Sequence, residues 1–102
     1  MAAEPQPRRL TVGALEVDLA RYRGSFAGRS LILSPTQLEL LAILVANRER
    51  LVSRAELSSA VGLRRDRSVD VALSAIRREV GRDFIRNVRK RGWVLASEQL
   101  EV

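Results

Sequence analysis

Arginine supplies most of the chemistry available to this chain, and it is unevenly placed. Ten of the 18 Lys/Arg but only four of the 12 Asp/Glu lie between residues 64 and 91. The formal charge of +6 therefore belongs to that stretch, and the remainder, with eight of each sign, is neutral. Clustering of this kind is the electrostatic footprint of a polyanionic partner. A guanidinium can grip a phosphate, or the edge of a guanine, with two parallel hydrogen bonds. Every cation except Lys90 is an arginine. GC-rich coding would produce the same ratio, so only the placement carries weight.

Two elements must hold these cations. Residues 66–81 carry apolar side chains at Val69, Ala72, Leu73, Ile76 and Val80, a spacing of three and four that forms one buried stripe of a helix. The opposite face holds Arg67, Val71, Ser74, Ala75 and Arg78, with Arg77 beside it. A face kept for solubility alone is usually dense in Glu and Lys, so this one is shaped for close approach. Residues 84–95 follow as a hairpin in which Arg86, Arg89, Lys90 and Arg91 crowd around Gly92. Other chemistries find little here. The chain has no His and no Cys, no Gly-rich phosphate loop and no spacing suited to metal ligands, so neither an enzyme, a cofactor nor a metal site is expected. Asp70 on the third helix is expected to pair with Arg67 or Arg77.

Upstream segments read as a scaffold. Residues 1–8 hold two prolines and no periodicity, a leader or linker remnant expected to be disordered. Apolar runs at Leu10–Val12, Leu15–Val17, around Tyr22–Phe26 and at Leu31–Leu33 predict a small antiparallel sheet of three or four strands. Ser34-Pro35-Thr36-Gln37 starts a helix: Ser34 caps, Pro35 takes the first helical position and Gln37 completes a capping box. Leu38, Leu41, Ala42 and Val45, flanked by Leu40 and Leu44, mark that helix, which runs to about Asn47, as central core. Leu51-Val52 is a stub of strand or a turn. Ser53-Arg54-Ala55-Glu56 is a second capping box, opening a helix that Gly62 stops. The first turn of this helix, with Ser53 and Arg54, is a candidate phosphate contact, because free amides and the positive dipole end favour an anion. A domain spanning 9–97 and a short acidic tail at 98–102 complete the organisation.

Helix, turn, helix with a small and basic outer face, then a basic hairpin, describes a winged helix-turn-helix of the α+β class. The residues resemble one family, the OmpR/PhoB-type DNA-binding domain of response regulators. Leu33-Ser34-Pro35-Thr36-Gln37-Leu38-Glu39-Leu40-Leu41 is similar to the opening of its first helix, and Val52-Ser53-Arg54-Ala55-Glu56-Leu57 to that of its second. Arg67-Ser68-Val69-Asp70-Val71 resembles the start of its recognition helix. Ile85-Arg86-Asn87-Val88-Arg89-Lys90-Arg91-Gly92-Trp93 resembles its wing. The resemblance covers residues 10 to 96 and implies an N-terminal four-stranded sheet, three helices and a C-terminal β-hairpin. It further implies the third helix in a major groove of double-stranded DNA, the wing at the minor groove or backbone, and tandem dimers on direct repeats. Arg67 and Arg77 then match backbone or base contacts. Asn87 and Arg89 match wing contacts, joined by Lys90 and Arg91 on charge, and Trp93 takes the place of the wing tyrosine. Where well-known members carry polar groups in mid-helix, this chain has Ala72, Ser74 and Ala75, which leaves Arg67, Arg78, a Ser74 hydroxyl and apolar contacts from Val71 or Ala75 for base readout.

RNA polymerase is a partner of activating members through a longer loop before the recognition helix; the connector Leu63-Arg64-Arg65 is shorter. The second reading is a winged-helix module that binds protein rather than DNA, suggested by Val71 and Ala75. The basic wing favours DNA, and RNA comes behind both. No apolar run approaches the ~20 residues of a membrane span, and a cytoplasmic location fits a chain without cysteine. The chain is read either as the C-terminal effector part of a larger bacterial regulator, which the linker-like leader favours, or as an orphan regulator.

Overall fold

The computed structural model describes residues 9–62, 66–81 and 83–96. The expected leader, the connector 63–65 and the acidic tail lie outside these residues. Four short strands, β1 (Arg9–Val12), β2 (Leu15–Asp18), β3 (Arg23–Phe26) and β4 (Arg29–Ser30), form an antiparallel meander in chain order. Three helices follow, α1 (Pro35–Ala46), α2 (Arg54–Val61) and α3 (Asp66–Val80), and then a hairpin of β5 (Ile85–Val88) and β6 (Gly92–Leu95). This is the winged helix-turn-helix architecture read from the sequence.

Both capping boxes form. Ser34 accepts from the Gln37 amide while the Gln37 side chain accepts from the Ser34 amide, and Ser53 and Glu56 repeat the arrangement. Each box satisfies two backbone donors at a helix start, and together they set where α1 and α2 begin. Leu38, Leu40, Leu41, Ala42, Leu44 and Val45 are all buried. A helix apolar on most of its surface must sit in the middle of its domain, and α1 does. Leu15 and Val17 of β2, Leu57 of α2, the α3 stripe and the hairpin residues Ile85, Trp93 and Leu95 join it in one core.

The fourth strand is not where apolar character placed it. The ladder pairs Phe26 with Arg29 and Ser25 with Ser30, and Leu31–Leu33 lies beyond it. Leu31 still donates to the Gly24 carbonyl and turns its side chain inward. Ile32, 85% exposed, instead donates its amide to the Glu79 carboxylate on α3, and Arg29 donates to the Glu79 carbonyl. A tertiary contact draws the chain off the sheet and onto the end of the third helix.

Glu56 adds a pH-dependent contribution to the start of α2. Its carboxyl is held below the ordinary value of about 4.5, first by the hydrogen bond from Arg50 and then by the Ser53 amide. A depressed folded-state pKa stabilises the native state above the unfolded value, and the contribution is lost as pH falls through the folded value. Glu56→Gln keeps the capping bond and removes the charge. Its melting temperature should lie slightly below the parent's near neutrality, and the gap should close as acid protonates the parent's Glu56; a gap unchanged in acid would assign the effect to packing.

Candidate nucleic-acid interface

The outward face of α3 follows from its period. Val69, Leu73, Ile76 and Val80 are buried, while Arg67, Val71, Ser74 and Arg78 are exposed and Ala72, Ala75 and Arg77 lie at the margin. Val71, at 63%, is the most exposed apolar side chain of the helix. On the hairpin, Arg86, Asn87, Arg89, Lys90 and Arg91 are all exposed. The tip turns where the Arg91 amide donates to the Val88 carbonyl at 2.8 Å, with Lys90 in the left-handed region at φ 65°. Three cations thus stand side by side at the end of the wing.

The wing is fastened to the helices by its backbone. Val52 and Trp93 exchange two hydrogen bonds, at 2.8 and 2.9 Å, so the short apolar pair ahead of α2 serves as a third strand-like partner. Gly92 passes against this segment with φ 145°, and a Cβ there would meet the Val52 carbonyl oxygen at 2.1 Å. Only glycine fits so close an approach.

Three sequence expectations need correction. Trp93 was placed among the DNA contacts, but its ring is 1% exposed and therefore faces the core instead of a groove. Its Nε1–H donates to Asp70 Oδ1 at 2.9 Å, and the Arg77 guanidinium lies 5.9 Å from the ring centroid. Asp70 pairs with neither Arg67 nor Arg77. Its partner is Arg54, through Nε to Oδ1 at 3.2 Å and a terminal nitrogen to Oδ2 at 3.0 Å. Arg54 is consequently already neutralised, and any phosphate at the start of α2 would meet the amides of Arg54 and Ala55, which precede the first helical bond from Leu57 to Ser53. Ser53 caps, accepting from the Glu56 amide.

The charge pattern has a structural cause. Both described acids of α3 are engaged by arginines from elsewhere, Asp70 by Arg54 and Glu79 by Arg29. The cations of α3 and the wing, Arg67, Arg77, Arg78, Arg86, Arg89, Lys90 and Arg91, form no ion pair among the described residues. Elsewhere Arg9, Arg29, Arg50 and Arg54 are paired, while Arg21, Arg23 and Arg48 are without an ion pair among the described residues. Positive charge is left uncompensated where small and basic side chains meet solvent. Sequence periodicity located these exposed residues, but it offered no signal for the partners of Asp70.

A three-helix core with a helix-turn-helix and a basic β-hairpin defines a winged-helix domain. Residues 28–95 match the family described as "Transcriptional regulatory protein, C terminal", and the chain belongs to it. The transcriptional regulatory protein CpxR of Escherichia coli K12 is 33% identical over 97 residues, covering 86% of this chain and 42% of that protein. Protein PetR of Rhodobacter capsulatus is 29% identical over 106 residues, 90% of this chain and 45% of its own. The chain thus spans less than half the length of these curated relatives. Among solved structures, the DNA-binding domain of E. coli CpxR superposes with a TM-score of 0.79 at 32% identity, over 90% of this chain and 98% of that one. The Klebsiella pneumoniae RstA DNA-binding domain, solved in complex with RstA box, gives 0.78 at 24% identity over 89% and 99%, and at that identity shows the shared fold. No helix among the described residues is long and apolar enough to cross a membrane.

Proposed function

We propose that this domain binds double-stranded DNA sequence-specifically as the C-terminal effector part of a larger bacterial transcription regulator. On this reading α3 enters the major groove, and Arg89, Lys90 and Arg91 lie on the minor groove or backbone. The observation that carries it is the uncompensated charge: among the described residues the cations of α3 and the wing form no ion pair, while the α3 acids Asp70 and Glu79 are held by other elements. Unpaired arginines repel one another and are retained at a cost that a polyanion removes. Family membership supports the same reading and weighs against a catalytic role. The work falls in the cytoplasm, where bacterial DNA lies. Pairing of two copies on direct repeats and contact with RNA polymerase belong to the proposal, and the short connector makes the polymerase contact depend on other surfaces.

Titration of a duplex carrying the preferred site tests this, with the single variant Arg78→Ala alongside. Arg78 stands exposed on the outward face. Its loss should weaken binding to the preferred site by about 1–3 kcal/mol and relax preference at one base position. An equal loss on every sequence would reduce Arg78 to a backbone charge. The exposure of Val71 favours a second reading, a module that docks on protein; it requires that the domain ignore DNA even at low salt.

A further inference from the structure

Two helices and the wing meet at one carboxylate. Asp70 sits on α3, one face removed from the exposed arginines. It holds Arg54, the first residue of α2, through two nitrogens at 3.2 and 3.0 Å, and Trp93 of β6 through the indole N–H at 2.9 Å. Bidentate charge-assisted pairs of this kind fix orientation as well as adding energy. The pair is neither fully buried nor free, with side-chain exposures of 36% for Arg54 and 30% for Asp70. The carboxylate therefore does two things. It ties the recognition helix to both the preceding helix and the wing, and it neutralises an arginine at the helix start where a phosphate would otherwise be gripped by charge.

We infer that Asp70 is a positioning residue for sequence discrimination: through Arg54 it sets the angle between α3 and α2, and it keeps Arg54 from acting as a non-specific phosphate ligand. This rests on the DNA-binding reading above. Its consequence runs against intuition, because removing one contact of the framework should strengthen binding to irrelevant DNA. Asp70→Asn preserves the shape and the acceptor for Trp93 but releases Arg54. A freed arginine adds about one phosphate contact, and each such contact steepens the dependence of log affinity on log salt by roughly 0.9.

The test measures affinity for the preferred site and for a scrambled duplex over a range of salt, in the parent domain, Asp70→Asn and the double variant Asp70→Asn/Arg54→Gln. For Asp70→Asn the expected result is tighter binding to scrambled DNA, a salt slope steeper by about one unit, and a preferred-to-scrambled ratio about tenfold lower. The double variant, which deletes the ion pair without changing net charge, should return to the parent slope while the ratio stays low. Proportionate losses on both duplexes with an unchanged slope would show a merely structural role and overturn the inference. Should Asp70→Asn fail to melt cooperatively, the double variant decides alone, and a ratio equal to the parent's overturns it. Absence of salt-dependent binding by the parent domain is a different failure, that of the DNA reading itself.

Discussion

Gly92→Ala unfolds this domain or brings it close to unfolding. At φ 145° the residue occupies backbone that L side chains rarely adopt, and the new Cβ would lie 2.1 Å from the Val52 carbonyl oxygen and 2.9 Å from Ser53 Cα. Neither obstacle is a side chain that can swing away. Strain at such a φ costs about 1–3 kcal/mol. Relieving the clash also means parting Val52 from Trp93, whose two hydrogen bonds contribute about 1 kcal/mol each. A total of about 3–5 kcal/mol corresponds to a fall in melting temperature of about 15–30 °C for a domain of this size. Gly28→Ala is the control: its φ is +81°, but nothing lies within 4 Å of the added Cβ, so only about 1 kcal/mol should be lost. Thermal unfolding of the two variants should separate them widely, and similar melting temperatures would refute the close approach of the wing to the segment ahead of α2.

Replacing Arg89, Lys90 and Arg91 together with alanine should cause the largest loss of binding. All three are exposed at the wing tip and unpaired among the described residues, so they add nothing evident to the fold. If each neutralises a phosphate, the triple variant should shallow the salt slope by about three units and weaken binding by about two to three orders of magnitude near 0.1 M salt. The loss should fall about equally on preferred and scrambled duplexes, because phosphate contacts position and carry no sequence information directly. An unchanged slope would take the wing off the DNA.

These two variants divide the wing by chemistry. Gly92 and Trp93 belong to the fold, whereas the cations at the tip belong to the surface, although all are neighbours in sequence. That division explains what could be read from the sequence. Helix starts were legible because a capping box is a local pattern of four residues, as at Ser34–Gln37 and Ser53–Glu56. The outward face of α3 was legible because helical periodicity alone separates Val71 and Arg78 from Leu73 and Ile76. The family resemblance sets Trp93 among the DNA contacts of the wing, whereas its side chain is buried and its indole bonds to Asp70, 23 residues earlier. Arg54 reads as a free phosphate ligand because its partner lies 16 residues further on. The β4 shift depends on a contact 47 residues long between Ile32 and Glu79. Local order was in the sequence pattern, and pairings across the fold were not.

Selection from a pool of random duplexes, with sequencing of what is retained at two salt concentrations, tests the central claim most directly. The uncompensated arginines on α3 and the wing predict salt-sensitive retention and enrichment of a short motif, sharpest at the higher salt, where the phosphate contribution is weakest. Failure to retain any duplex at low salt would contradict DNA binding and leave the exposed Val71 face as a site for protein.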